Sequence, residues 1–232
     1  MTKTIKKIDC IRVKGTSREK LQERITVESH MTLYVNEDLV STFIYTSGFE
    51  EQMIRGFLLS SGLITDSSQI EKIDFEDETC RVWTSSFVQK STTDDDTLVM
   101  THARLLEVRE ALISNQKNHY ATRGFHGAII WEIPTGNWFI CEDIGRHNAV
   151  DKVIGYGARN DYDLSQSMVL LSGRLVSNIV SKSKNSGIPL MASMTVATDG
   201  GIREGVESDM TIIGSLSEEG FWLYNEGAVK IK

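Results

Sequence analysis

Cysteine is scarce in this chain, with three residues in 232. Cys10, Cys80 and Cys141 are odd in number and lie far apart in the sequence. Such usage excludes a disulfide-rich scaffold and fits a reducing compartment. We therefore expect the protein to be cytoplasmic.

Long apolar runs and an excess of positive charge are missing as well. No run approaches the length that spans a bilayer or forms the core of a signal peptide, and residues 1–20 carry charges throughout. The formal net charge is −7, so general electrostatic attraction to nucleic acid or to an anionic membrane is not expected. The composition predicts a soluble globular protein in which any phosphate site must be local.

The common nucleotide and metal motifs are absent too. Neither Gly-x-Gly-x-x-Gly nor a Walker-type Gly-x-x-x-x-Gly-Lys-Ser/Thr run occurs. His30, His102 and His119 have no cysteine pair or carboxylate at ligand spacing, so we expect no metal ligated directly by the protein. A hydrolytic zinc deaminase needs His-x-Glu and Pro-Cys-x-x-Cys, and the chain has neither.

The first part of the chain has the pattern of a small α+β unit. Alternating apolar and polar residues predict strands, and apolar residues at helical spacing before Gly62 predict a helix. The predicted strands lie within 25–35, 39–45, 70–75 and 81–83, and the predicted helix covers 50–61.

A boundary between two domains is predicted near residue 113. The acidic segment 91–96 is expected to be a solvated loop, and 104–113 a helix that ends in polar residues. We therefore divide the chain into a small N-terminal α+β domain, residues 1–113, and a larger α/β domain, residues 114–232.

The second part of the chain alternates strands and helices. A hairpin signal with Pro134 and Gly136 in its connection is followed by buried strands separated by helical segments. The predicted strands are 128–131, 138–141, 168–171, 190–196, 211–213 and 221–224, and helices are predicted after Gly145, over 175–184 and after Gly201. Crossover helices between buried strands predict a mixed sheet with helices on its faces.

The turn from Glu142 to His147 is the strongest candidate site. It joins an apolar strand to a helix, and the free amides of such a turn favour an anion. Arg146 and His147 strengthen that interpretation, although a capped turn with a solvated arginine explains the same residues. Cys141, just before the turn, is either a thiolate near Arg146 or a buried small residue, and the buried interpretation is favoured.

Three further segments offer weaker candidates at strand ends. Ser172-Gly173-Arg174 combines a hydroxyl, a glycine that lets a ligand approach the backbone and an arginine suited to phosphate; a serine helix cap with an exposed arginine is the alternative. Residues 198–201 are more typical of a plain glycine-rich turn. His126 precedes a strand, where it faces a ligand or, as is usual for an isolated histidine, satisfies a buried carbonyl.

Taken together, several of these motifs resemble the FdhD family of formate dehydrogenase accessory sulfurtransferases. The matching segments are Gly124-Phe125-His126, the run from Glu142 to Lys152, Ser172-Gly173-Arg174, Lys182, Gly187-Ile188-Pro189 and, more weakly, residues 57–64. The resemblance implies a cytidine-deaminase-like α/β/α sandwich beside a smaller N-terminal domain, usually as a homodimer. It also implies sulfur transfer from a cysteine desulfurase to the molybdenum or tungsten bis-molybdopterin guanine dinucleotide cofactor of formate dehydrogenase.

The predicted cofactor-binding set combines the candidates at strand ends with a loop that the resemblance implies. It comprises His126, Arg146, His147, Ser172, Gly173, Arg174 and the loop Ser215, Leu216, Ser217, Glu218, Glu219 and Gly220. This loop has two glutamates where the family commonly has a basic residue, and carboxylates repel a nearby anion. The family's Thr-Gly-Gly-x-His run also reads Thr-Arg-Gly-Phe-His here, at 122–126.

A second departure concerns the chemistry itself. The family's sulfur carrier is a Cys-x-x-Cys pair between the domains, and residues 97–109 contain no cysteine. A persulfide needs a thiolate, so no catalytic residue is assigned. The alternatives are therefore a catalytically silent cofactor-binding chaperone, a zinc-independent relative of nucleotide deaminases, and a structural homodimer without ligand.

Overall fold

The computed structural model describes residues 4–85 and 98–232, and the acidic segment 91–96, predicted as a loop, lies outside these ranges. The strands are β1 (Ile5–Lys14), β2 (Ser17–Thr26), β3 (Ser29–Val35), β4 (Asp38–Tyr45), β5 (Ile70–Glu76), β6 (Thr79–Thr84), β7 (Leu98–Met100), β8 (His126–Glu132), β9 (Trp138–Asp143), β10 (Ser167–Leu171), β11 (Leu190–Ser193), β12 (Thr211–Ser217), β13 (Gly220–Asn225) and β14 (Val229–Ile231). The helices are α1 (Glu50–Ser60), α2 (His102–Asn115), α3 (Lys117–Thr122), α4 (Arg146–Arg159), α5 (Ser177–Asn185) and α6 (Asp199–Glu207).

The larger sheet has six strands in the order β13-β12-β11-β10-β8-β9. Its central strands β10, β11 and β12 are parallel, so each link between them needs a crossover, which α5 and α6 supply. The outer pairs are antiparallel. This is the mixed sheet that the sequence predicts.

Helices cover both faces of this sheet because its strands are apolar on both sides. Ala128 and Ile130 of β8 belong to the core under α4 and α5, whereas Ile129 and Trp131 belong to the core under α2. Successive side chains of a strand point to opposite faces, so one continuous apolar run serves both layers. The α/β/α arrangement predicted from the sequence is confirmed.

A smaller sheet, in the order β4-β3-β6-β5, packs with α1 beside the larger one. The four strands and the helix predicted for this part are confirmed. The hairpin of β1 and β2, the short pair of β7 and β14, and α3 have no counterpart in the sequence prediction. The charged side chains of residues 5–26 obscure the period-two pattern that would predict the β1–β2 hairpin.

Two predicted boundaries are wrong for local reasons. The strand predicted over 190–196 ends at Ser193, after which Ala197 forms an isolated bridge with Leu175, and this bridge delays α5 until Ser177. The glycine-rich turn predicted at 198–201 is instead the start of α6, where the Thr198 hydroxyl accepts the Gly201 amide at 3.3 Å.

Helices α1 and α4 cross at two glycines. A Cβ atom on Gly56 would overlap the carbonyl oxygen of Asp151, and one on Gly155 would overlap the carbonyl oxygen of Gln52. The two backbones therefore touch, which only glycine permits. The crossing joins the cores of the small and large sheets into one apolar cluster.

A buried polar network accompanies this crossing. Lys152 on α4 donates to the carboxylate of Asp143 at 2.7 Å and to the carbonyl of Thr46 at 2.7 Å, and both charged side chains are at most 1% exposed. The same carboxylate accepts the Thr46 amide at 3.0 Å. The ion pair between α4 and β9 thus holds Thr46, which follows β4, in place.

A second network involves Asp151, the residue of α4 that precedes Lys152. Lys182 of α5 donates to both carboxylate oxygens of Asp151 at 2.8 Å, and the Ser60 hydroxyl of α1 donates to the same carboxylate at 2.6 Å. Three helices therefore meet at one carboxylate. The division at residues 113 and 114 stays a prediction, and α2 runs through that point.

We predict that Gly155→Ala lowers the free energy of unfolding by roughly 3 kcal/mol, because the added methyl group forces two packed helix backbones apart. Urea denaturation followed by circular dichroism measures this change. Gly200→Ala is the control, since its Cβ would lie 3.5 Å from Ser177, an ordinary contact, and its effect should stay below about 1 kcal/mol. Equal stabilities of the two variants would contradict the close backbone contact of α1 and α4 at Gly155.

We further predict that Lys152→Met costs about 3–5 kcal/mol, because it leaves the carboxylate of Asp143 buried without its partner. Lys184→Met is a matched control: Lys184 pairs with Glu204 at the surface, so its loss should cost less than about 1 kcal/mol. Both values come from the same urea titrations. A loss below about 1 kcal/mol for Lys152→Met would show that the buried pair contributes little.

Candidate site at the carboxyl edge of the large sheet

His126, Arg146 and Gly173 meet where β8, β10 and α4 come together. An ideal Cβ atom on Gly173 would lie 3.3 Å from Cδ of Arg146 and 3.5 Å from Nδ1 of His126. The sheet produces this meeting, because β8 begins where the antiparallel β10 ends. Two nitrogen-bearing side chains therefore flank residue 173.

The first turn of α4 adds amide donors to this place. Gly145 precedes the helix without a side-chain cap, and Arg146 and His147 are its first residues. Amides in the first helical turn have no acceptor within the helix and favour an anion. Nε of Arg146 is buried and has no hydrogen-bond partner among residues 4–85 and 98–232.

Both histidines of the site favour the neutral form. Burial lowers the pKa of His126, and the nearby positive charge of Arg146 lowers it further. Burial also lowers the pKa of His147, partly opposed by a hydrogen bond with Asn178, and Lys182 adds to the lowering. His147 thus lies towards α5, whereas His126 lies beside Arg146. A neutral imidazole can donate one hydrogen bond and accept another.

Ser172 has a structural role, and Arg174 stands in solvent. The amide of Ser172 donates to the Gly127 carbonyl at 2.9 Å, and its hydroxyl accepts the Gly127 amide at 3.0 Å. The serine therefore extends the pairing of β10 with β8 and does not cap α5, which begins after Val176. Arg174 is exposed beside Gly173.

The segment 215–220 lies further along the same edge. The Ser193 hydroxyl donates to the Gly173 carbonyl at 2.7 Å, and the Ser215 amide donates to the Thr195 carbonyl at 2.6 Å. Ser215 to Ser217 belong to β12, and Gly220 begins β13. Leu216 is 2% exposed, so it offers a ligand almost no surface.

A basic side chain reaches this segment from another element. Arg109 of α2 lies 3.4 Å from the carboxylate of Glu218, whereas Glu219 is exposed. The ion pair offsets part of the repulsion that two glutamates would exert on an anion. No sequence pattern links residues 109 and 218, so the position of Arg109 beside this segment is not predictable from the sequence.

The acidic pair before the turn is structural. The carboxylate of Glu142 accepts the amides of Asn118 and His119 at 2.8 and 2.7 Å, so it caps the first turn of α3. Asp143 accepts the Gly145 amide at 2.8 Å in addition to its ion pair. These two carboxylates hold the helices that flank His126.

Two of the three cysteines are unsuited to nucleophilic chemistry. Cys80 and Cys141 are buried, and burial raises the pKa of each thiol to about 12. The buried interpretation of Cys141 is confirmed, and the thiolate interpretation is wrong. Cys10 is partly exposed on β1.

Metal clusters and membrane-spanning helices are both absent from residues 4–85 and 98–232. No group of three or more His, Cys, Asp or Glu side chains there is placed to hold a metal ion. None of the helices in those ranges has the length and apolar character needed to cross a membrane.

The chain resembles known proteins over nearly its whole length. It is 27% identical to the protein FdhD of Methanocaldococcus jannaschii over 96% of this chain and 97% of that protein. It is 25% identical to the sulfur carrier protein FdhD of Sulfolobus acidocaldarius over 95% and 96% of the two chains.

A solved structure shares the fold. The crystal structure of a proposed formate dehydrogenase accessory protein from Desulfotalea psychrophila superposes with a TM-score of 0.85 at 22% identity, covering 96% of this chain and 97% of the other. The family model described as FdhD/NarQ matches residues 26–101 and 85–230. The chain therefore belongs to the FdhD/NarQ family.

Proposed function

We propose that this protein is an accessory factor in the maturation of a formate dehydrogenase and that it binds the guanine dinucleotide form of the molybdenum cofactor as cargo. The proposed partners are formate dehydrogenase and a cysteine desulfurase, and the proposed location is the cytoplasm. The names of the relatives support this general role. The proposal that the protein binds the cofactor rests on the candidate site around Arg146, His126 and Gly173.

The observation that carries the proposal is that the side chains of Arg146 and His126 flank Gly173, 3.3 and 3.5 Å from the position that a Cβ atom would take there. The cargo is rich in phosphate, and phosphate is recognised by guanidinium groups and by amides at helix starts. A glycine between the two side chains keeps the backbone open to a ligand, because any larger residue would fill that space. These features fit the phosphate-bearing part of the cargo.

Loop 215–220 extends the proposed site towards the far end of the sheet. Adjacent strands are separated by about 4.8 Å, so the three steps from β10 to β13 span roughly 14 Å. A dinucleotide is long enough to lie across several strand ends. The guanine part of the cargo would then lie towards Ser215 and Gly220, and the phosphates towards Arg146.

Sulfur transfer is the less supported half of the family's role. In such a step a thiolate attacks the outer sulfur of the desulfurase persulfide, a new sulfur–sulfur bond forms, and the desulfurase thiolate leaves. A thiol with a pKa near 12 is almost entirely protonated at pH 7, which applies to Cys80 and Cys141. We therefore favour cofactor binding over sulfur carriage for this chain.

We predict that GDP, as a stand-in for the guanine end of the cargo, binds the purified protein and that Arg146→Ala weakens binding at least tenfold. Loss of a charge-assisted hydrogen bond is worth about 1.5–3 kcal/mol, which corresponds to this range. Isothermal titration calorimetry gives the affinities. Arg81→Ala, on the small sheet, is the control and should bind normally.

A second variant tests the same site independently, in case Arg146→Ala weakens binding only because it misfolds. Gly173→Val keeps the arginine but places side-chain atoms against it, and it should weaken GDP binding to a similar degree. Circular dichroism verifies the fold of both. Normal GDP affinity in the two variants would refute the proposed site.

We also predict that incubation with a cysteine desulfurase and cysteine leaves no persulfide on Cys80 or Cys141. Mass spectrometry of the intact chain and of its peptides detects the added sulfur. The desulfurase's own persulfide, measured in the same sample, shows that donor was present. A persulfide on Cys141 would restore the sulfur-carrier function, and one on Cys10 would assign that function to the β1–β2 hairpin.

A further inference from the structure

A cavity of about 570 Å³ lies at the end of α4 that is opposite to Arg146. Its walls come from α1, the segment 65–68, the last residues of α4, the segment after that helix and the residue after α5. Because α4 has 14 residues, its two ends are roughly 20 Å apart. The cavity is therefore separate from the candidate site at the carboxyl edge of the large sheet. We call it the helix-end cavity, and its wall includes Arg55, Ser67, Arg159, Asp161, Tyr162 and Ser186.

Two arginines in this wall share one carboxylate. Arg55 on α1 lies 3.0 Å from an oxygen of Glu51, and Arg159 at the end of α4 pairs with the same oxygen. Two guanidinium charges against one carboxylate leave an excess of positive charge on this side of the cavity. Arg159 is 47% exposed, so a solute can reach it. Because guanidinium groups recognise phosphate and carboxylate oxygens through several N–H donors, this side of the cavity fits an anionic group.

Two buried polar atoms of the wall have no hydrogen-bond partner within residues 4–85 and 98–232. They are Nε of Arg55 and the hydroxyl oxygen of Ser186, a residue that is only 8% exposed. Protein interiors rarely leave a buried donor unpaired, because removing it from water without a new partner is costly. Two such donors beside one cavity indicate that an acceptor from outside the protein chain, a ligand or a water molecule, completes them.

Ser67 supplies a further donor. Its hydroxyl oxygen accepts a hydrogen bond from Nη1 of Arg55 at 2.7 Å, and a hydroxyl that accepts one hydrogen bond still has its own proton to donate. The donors of the wall thus come from α1, from the segment 65–68, from the end of α4 and from the residue after α5. They surround the cavity from several directions. Such a set matches the three acceptor oxygens of a phosphate better than a planar carboxylate.

The rest of the cavity has room and chemistry for more than a phosphate ion. Its volume falls within the range of about 300–1,000 Å³ that is usual for pockets of small organic molecules. The carboxylate of Asp66 is occupied by the amide and hydroxyl of Ser68, at 2.8 and 2.7 Å. The carboxylate of Asp161 is exposed, and it would repel a second anion but can accept a hydrogen bond from a neutral hydroxyl. The ligand body that fits beside it carries hydroxyl groups.

We propose that the helix-end cavity binds a sugar phosphate. The phosphate would meet the two arginines and the two serine hydroxyls of the wall, and the sugar hydroxyls would lie towards Asp161 and Tyr162. Because α1 and α4 both contribute to the wall, the ligand would add contacts between the two helices that cross at Gly56 and Gly155. This inference does not depend on the cofactor site or on the proposed function.

Ribose 5-phosphate is the probe for the whole ligand, and ribose and inorganic phosphate are the probes for its two parts. Each is titrated at constant ionic strength into the full-length protein labelled with heavy nitrogen, and the amide signals are followed by NMR. We expect ribose 5-phosphate to shift the signals of residues 65–68, 159–162 and 186 and to bind at least about tenfold more tightly than either part. The signals of residues 145–147 report the candidate site separately.

Two outcomes of this titration would overturn the proposal. Unshifted signals at residues 65–68, 159–162 and 186 would show that water completes the unpaired donors of Arg55 and Ser186. Equal affinities for ribose 5-phosphate and inorganic phosphate would show that the cavity takes a free ion and not a sugar phosphate.

Ser186→Ala separates binding from stability. The Ser186 hydroxyl has no partner in the described part of the chain, so its removal should leave the midpoint of urea unfolding unchanged or raised. The same variant should weaken binding of ribose 5-phosphate about threefold or more, because the ligand loses a donor. Arg159→Gln should weaken binding about tenfold, because a charge-assisted hydrogen bond is lost while Arg55 keeps its pair with Glu51.

Arg203→Gln is the matched control for charge. It removes the same charge from an exposed arginine of α6 that pairs with Asp199, outside the cavity wall, and it should leave the affinity for ribose 5-phosphate unchanged. Circular dichroism verifies the fold of all three variants. Unchanged affinity of either Ser186→Ala or Arg159→Gln would refute the proposed position of the phosphate.

Discussion

The carboxylate of Asp143 is the point on which the candidate site depends. It accepts hydrogen bonds from the Gly145 amide and the Asn148 side chain on one oxygen, and from the Thr46 amide and Lys152 on the other. A buried carboxylate is tolerated only when it is paired and its lone pairs are satisfied. Because these donors come from the small sheet and from α4, one side chain positions both parts relative to β9.

The hydrogen bonds of Asp143 fix the position of Arg146. The helix that presents it cannot rotate, since its first turn is tied to the end of β9 and its middle touches α1 at Gly155. A binding group held by packing loses little freedom when a ligand arrives, which favours affinity. The glycine crossing and the buried ion pair are therefore structural causes of the site's rigidity.

The sequence predicted the layers of the fold because apolar periodicity and glycine positions are local signals. It also placed His126, Arg146 and Gly173 at strand ends, and the structure brings these three residues together because the ends of neighbouring strands share one edge of a sheet. It missed the partners whose contacts are not local. Neither the capping of α3 by Glu142 nor the approach of Arg109 to Glu218 leaves a pattern along the chain, because the residues in each pair come from separate elements.

Cofactor binding and sulfur carriage have different physical requirements, so one can persist without the other. Binding needs guanidinium groups, amides and an open backbone, all fixed by buried contacts around α4. Sulfur carriage needs an ionised thiol that can reach a partner enzyme. Cys80 and Cys141 are held by the same core that stabilises the site, and that burial keeps them protonated. Exposing either one would require opening the core that α4 packs against, so this scaffold favours binding at the expense of thiol chemistry.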